Sequence, residues 1–107
     1  IMKNLIYQQG DVLLYSIEAI PSGATRNQIK SRRVVLAEGE ATGHAHALAP
    51  ENVEVHEKDG VMYLRISAPT SLRHEEHHEQ LVMPGLYEVG RVREVDPFTQ
   101  EIREVRD

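Results

Sequence analysis

The sequence predicts an all-β fold, a small barrel or sandwich, with residues 1–107 forming one β domain. Three observations carry this. Short runs rich in β-branched residues alternate with polar ones along the chain. Gly and Pro punctuate these runs at the regular spacing of a small barrel or sandwich. No apolar stripe at the helical period exceeds two turns, and outside the histidine-rich segment only Gln28–Arg33 reads as a helical candidate.

The elements follow in order. Val12-Leu13-Leu14-Tyr15-Ser16-Ile17-Glu18 is a largely buried strand, broken by Pro21-Ser22-Gly23. Arg33–Glu38 is a second strand, ending near Gly39. Gly43 precedes a third, His44–Leu48, which Pro50 closes. Val53–His56 alternates, Lys58-Asp59-Gly60 follows, and Val61–Ile66 alternates again. Asp-Gly between two such runs predicts a tight hairpin, because Gly tolerates the positive φ of the primed turns that match strand twist. Met62, Leu64 and Ile66 then share one face. Ala68-Pro69 interrupts, and Ser71–His74 extends again. After Pro84-Gly85 comes a long strand, Leu86–Val95, in which Gly90 marks a bulge or a close backbone approach. Asp96–Thr99 reads as a turn that lets Glu101–Val105 pair back.

Composition excludes several function classes. At 107 residues there is room for one modest core, made of Val, Leu, Ile and Tyr because Trp is absent and Phe occurs once. The net charge of −5 argues against nucleic-acid binding, which needs a basic surface. Lys30, Arg32 and Arg33 form a local basic cluster, read as a solvated loop or edge with a phosphate contact as the alternative. Without Cys there is neither a disulfide nor a thiolate zinc site, which suits the cytoplasm expected for this chain. Met2 is the expected native start, with no leader of signal-peptide length. No apolar stretch approaches the roughly 20 residues of a membrane span.

Five of the six histidines fall in two short segments. Arg73-His74-Glu75-Glu76-His77-His78-Glu79-Gln80 contains H-E-x-x-H, the zinc-protease signature. That motif needs a helix packed on a core, so that both imidazoles reach one ion and the Glu activates its water. Here no apolar residue lies between positions 73 and 80, so a helix would be polar on every side. Glu94, a distant third ligand for that motif, falls in a strand. A metal-dependent hydrolase with Glu75 or Glu76 as base therefore ranks last.

Gly43-His44-Ala45-His46 is more telling. In a strand, residues i and i+2 share a face about 6.7 Å apart, and two imidazoles so placed converge on one ion. Joined to the second cluster, His44 and His46 with His74 plus His77 or His78 make a three- or four-histidine site for a divalent transition metal (Zn, Ni or Fe). Glu38, Glu40, Glu51 or Glu75 would replace a ligand or orient an imidazole. His56, opposite in facing to Val53 and Val55, reads as solvent-facing. Tyr63, Tyr87, Arg65, Arg91 and Arg93 either line a pocket by the site or serve packing and surface ion pairs. No nucleophile motif or phosphate loop is present, so no catalytic residue or substrate is assigned. The competing reading is a non-enzymatic interaction or assembly module with unliganded histidines, its exposed strand edges favouring a homodimer. An open coordination position beside a pocket separates enzyme from module.

The spacing Gly39-x4-His44-x-His46-x4-Glu51 resembles the first motif of the cupin superfamily, where an H-x-H pair and a later Glu ligate a metal. That resemblance implies a cupin-like jelly roll with Glu51 as a third ligand. The second cupin motif has a His after P-x-G, whereas Pro84-Gly85 is followed here by Leu86-Tyr87. Over most of its length the chain looks like a family of small bacterial and phage proteins of unassigned activity. The shared stretches are Gln9-Gly10-Asp11-Val12, Leu36 to His46, His74 to His77, Pro84 to Val89 and Arg103 to Asp107. This second resemblance implies that His74 pairs with His77 rather than His78.

Overall fold

Turn chemistry sets the framework of the chain. A computed structural model describes residues 3–38, 43–95 and 102–104, with side chains described outside 93–95 and 102–104. Strand β1 (Asn4–Gln9) turns through Gly10-Asp11 into β2 (Val12–Ser16). Gly10 has φ 57° at the first central position, where a two-residue hairpin favours Gly. β3 (Thr25–Asn27) and β4 (Val34–Glu38) follow, then β5 (Ala45–Leu48). A 3-10 turn at Pro50–Asn52 leads into β6 (Val53–Lys58) and β7 (Val61–Ile66). Between these two, Asp59 and Gly60 have φ 52° and 79°, and Lys58 pairs with Val61. Both central residues at positive φ give the type I′ turn expected of Asp-Gly.

β8 (Thr70–His74) and β9 (His77–Val82) make the next hairpin, and β10 (Gly85–Arg91) returns beside β7. β11 (Arg93–Val95) and β12 (Ile102–Glu104) pair separately. The expected turn at Asp96–Thr99, Gly39 and Glu40, and the motif end at residues 105–107 lie outside the described residues.

Two antiparallel sheets result, in the orders β1-β2-β10-β7-β6-β3 and β4-β5-β8-β9. Their inner faces share one core. Val12, Leu14, Val53, Val55, Leu64 and Ile66 come from the larger sheet, and Val34, Leu36, Leu48, Leu72 and Val82 from the smaller. On β2, β4, β6 and β7 these residues recur at every second position, which is what a face buried against another sheet requires. Met62 joins Leu64 and Ile66 on the core side, as alternation predicts.

The architecture is a sandwich, and the closed-barrel alternative is corrected. No ladder joins β1 to β9, the outer strands that approach on one side. Side chains bridge them instead. The Met83 N–H donates to Tyr7 Oη at 3.0 Å, and Gln80 Nε2 donates to Gln8 O at 2.5 Å. Tyr87 Oη donates to Met83 O close by, and burial beside Tyr7 pushes its phenol up to about 12.

Gln28–Arg33 forms no helix but an irregular connection into β4. Gly90 is a close approach, since a Cβ there would lie 2.9 Å from Tyr15 Cε2. Among the described residues, no helix is long and apolar enough to cross a membrane.

Candidate metal centre

Three strands of the smaller sheet deliver the histidines. On β5, Ala45 and Ala47 face one way, and His46 and Leu48 the other, toward the core. His46 is 2% exposed. On β8 and β9, His74 and His77 are directly opposed across the Glu75-Glu76 turn. Centroids lie 4.2 Å apart for His46–His74, 4.6 Å for His74–His77 and 5.5 Å for His46–His77. One nitrogen from each of His46, His74 and His77 lies within 4.8 Å of the others. Three nitrogens bound tetrahedrally at 2.0–2.1 Å stand about 3.3 Å apart, so an ion would draw each pair closer by at most about 1.5 Å.

A second group, His44, His74 and Glu75, meets the same 4.8 Å criterion and shares His74 with the first. His44 precedes β5, its ring edge-on to His74 with centroids 5.6 Å apart. Four of the five histidines offered by the sequence are thus gathered. His78 is not. A register shift between the Leu72–Gln80 and His74–His77 pairs interrupts the alternation of β9, so His77 stands opposite His74 and half-buried while His78 lies exposed. The segment is a hairpin and not a helix, which removes the one-face geometry that H-E-x-x-H demands.

Buried polar residues hold His46. Gln9, 2% exposed, donates from Nε2 to Leu72 O at 3.0 Å and to His78 O at 2.9 Å. Two carbonyl acceptors fix the orientation of that amide, so its Oε1 must accept, and it meets His46 Nδ1 at 3.0 Å. In neutral His46 the proton therefore sits on Nδ1 and the lone pair on Nε2. Asp11 Oδ1 stands 3.6 Å from that Nε2. Arg91 holds the same carboxylate, its Nε donating to Oδ2 at 2.7 Å and Nη2 contacting the same oxygen.

The turn is tied to the cluster as well. The Glu76 N–H donates to His74 Nδ1 at 3.0 Å, which places the proton of neutral His74 on Nε2. Binding an ion at His74 must displace either that contact or that proton. Glu75 Oε1 accepts the Ala45 N–H at 2.9 Å. The β5–β8 ladder covers only Ala47 and Leu48, so the Glu75 carboxylate serves an amide that β8 does not reach. This backbone donor holds the Glu75 carboxyl below its ordinary range, and the charges of His44 and His74 act more weakly in the same direction.

The other candidates are placed elsewhere. Glu51 lies exposed on the 3-10 turn and lines a separate groove with Arg65, so the ligand implied by the cupin resemblance does not reach the histidines. Glu38 is exposed at the end of β4, and Glu76 Oε1 stands 3.7 Å from His44 Nδ1. His56 is half-buried beside Glu54, on the face away from Val53 and Val55. Tyr63 and Tyr87 are buried packing residues. Sequence reasoning missed Gln9 and Asp11 as parts of the centre. Their signal was the Gln9-Gly10-Asp11-Val12 motif, polar residues flanking a turn beside a buried strand.

The chain belongs to the family described as a domain of unknown function, DUF8820, whose family model matches residues 8–92. That span contains Gln9, Asp11, the four gathered histidines and Arg91. No curated protein and no solved structure matches the chain.

Proposed function

We propose that this β-domain binds a divalent transition metal (Zn, Ni or Fe) through His46, His74 and His77. The observation that carries the reading is the convergence of three imidazoles from three strands, one of them oriented by Gln9 at its Nδ1. Three protein ligands leave a position open to water or an oxygen ligand, where a metal polarises what it holds. The test is elemental analysis of untagged wild type, His46→Ala/His77→Ala and His78→Ala after exposure to zinc, nickel or iron(II). About one equivalent in wild type and His78→Ala, with none in the double variant, is the expected result for a three-histidine site. An empty wild type after all three metals overturns it.

One contact favours a second reading, a metal-free assembly module, phage-derived as the family resemblance implies. The Glu76 N–H on His74 Nδ1 is a bond that an unliganded turn makes and an ion at that nitrogen would break. Leu5, Ile6, Leu81 and Met83 are exposed on or beside the adjoining outer strands β1 and β9, where a homodimer would bury them. Nitrogen shifts of the histidine rings decide between the two. If both His74 ring-nitrogen shifts and the Glu76 amide shift stay unchanged when zinc is added, the module is favoured.

A further inference from the structure

The outer side of the smaller sheet carries a groove of about 530 Å³ that the histidine pattern does not account for. Its floor is small: Ala45 and Ala47, one face of β5. Three guanidinium groups border it, Arg32 and Arg33 before β4 and Arg73 on β8. In a chain of net charge −5 this is a local reversal of sign. Arg73 leans on Glu79 at 3.0 Å, with both side chains largely exposed. Among the described residues, neither Arg32 nor Arg33 has a carboxylate within ion-pair distance, and both are exposed. His74 and Glu75 line the groove as well. His74 also belongs to the three-histidine group. His74 thus belongs both to the lining of the groove and to the candidate centre.

We propose that this groove takes a small molecule bearing a carboxylate or phosphate, its anion on Arg32, Arg33 and Arg73 and its other end at His74. Planar forked donors suit either oxyanion, because guanidinium grips two oxygens at once where an ammonium offers only a point charge. The volume lies in the range of small-molecule sites, and the alanine floor leaves room for a slender ligand between the arginines and the histidine. That the far end meets a metal rests on the reading of the preceding subsection. The anion site does not.

The test is a titration with inorganic phosphate and with succinate at constant ionic strength, followed by backbone amide shifts of the metal-free chain. Saturable shifts at Ala45, Ala47 and Ser71 are expected with one or both anions, and the more tightly bound one identifies the headgroup. Arg32→Gln/Arg33→Gln should weaken that binding about tenfold, as expected for loss of charge-assisted bonds. Shifts that rise linearly with concentration, or that are equal in the arginine variant, overturn the proposal. His46→Ala/His77→Ala separates the two readings. It removes two proposed metal ligands and no guanidinium, so anion binding within about twofold of wild type is expected from it. Anion uptake by a wild type that takes up no zinc sustains the groove while sinking the metal.

Discussion

Two hairpins of this chain solve the same geometric problem with opposite chemistry. The β6–β7 hairpin turns at Asp59-Gly60, both at positive φ, and sends Val55, Leu64 and Ile66 into the core. The β8–β9 hairpin turns at Glu75-Glu76, and neither residue adopts positive φ. Its tip is held instead by contacts a simple turn does not need: the Glu76 amide on His74 and the Glu75 carboxylate on Ala45. The first hairpin agrees at every level, from turn residues to alternation to burial. The second breaks the local rules where the histidines meet. Local conflict of this kind is expected where a site rather than the fold has set the residues.

If that division is real, stability and metal uptake should separate by hairpin. The largest expected effect is on the scaffold side. Leu64 is fully buried on β7, and Leu64→Ala should lower unfolding free energy by about 3 kcal/mol through lost burial and the cavity left behind. Zinc affinity of the folded fraction should stay within about twofold. His77→Ala should do the reverse, abolishing zinc uptake while changing metal-free stability by about 1 kcal/mol or less. Denaturant melts and zinc titrations on both variants measure this. A Leu64→Ala protein that folds but loses zinc would show that the division does not hold.

Gln9→Ala should fall between the two. It strips the partner from His46 Nδ1 and from two backbone carbonyls in a buried setting, which should cost about 2 kcal/mol. It also frees the His46 tautomer, which should weaken zinc binding by roughly 10–100-fold. A variant that loses stability but keeps full zinc affinity would make Gln9 a strut between the sheets and no part of the centre.

How much of this was legible follows from the same contrast. Val61–Ile66 is legible to the residue because alternation and an Asp-Gly turn are both local signals. β1 is not, since Leu5 and Ile6 are adjacent and both half-exposed on an outer strand, which erases the period-two pattern. β9 is hidden by composition, because its residues are His, Glu and Gln until Leu81 and Val82. The gathering of His44, His46, His74 and His77 follows from clustering along the chain. Gln9 was out of reach, because its burial is defined by carbonyls 63 and 69 residues away.

The turns offer a smaller contrast. A Cβ at Gly60 would meet nothing within 4 Å, so Gly60→Ala tests φ alone and should destabilise by about 1 kcal/mol. Glu76→Ala keeps the backbone N–H on His74 and needs no positive φ, so it should change stability by less than about 0.5 kcal/mol. Thermal melts of the pair show whether the two tips obey different rules.

The smallest expected effect is the sharpest check on register. His77 and His78 are neighbours of identical chemistry, and the register shift in the β8–β9 ladder, which sets His77 opposite His74, tells them apart. His78→Ala keeps the carbonyl that accepts from Gln9 and removes an exposed ring. Stability should move by less than about 0.5 kcal/mol, and zinc uptake should not change. If His78→Ala instead abolishes uptake while His77→Ala spares it, the turn end of β9 is shifted by one residue. His78 would then face inward in phase with buried Val82, without the register shift, and the centre would have to be rebuilt around the spacing of a different histidine pair.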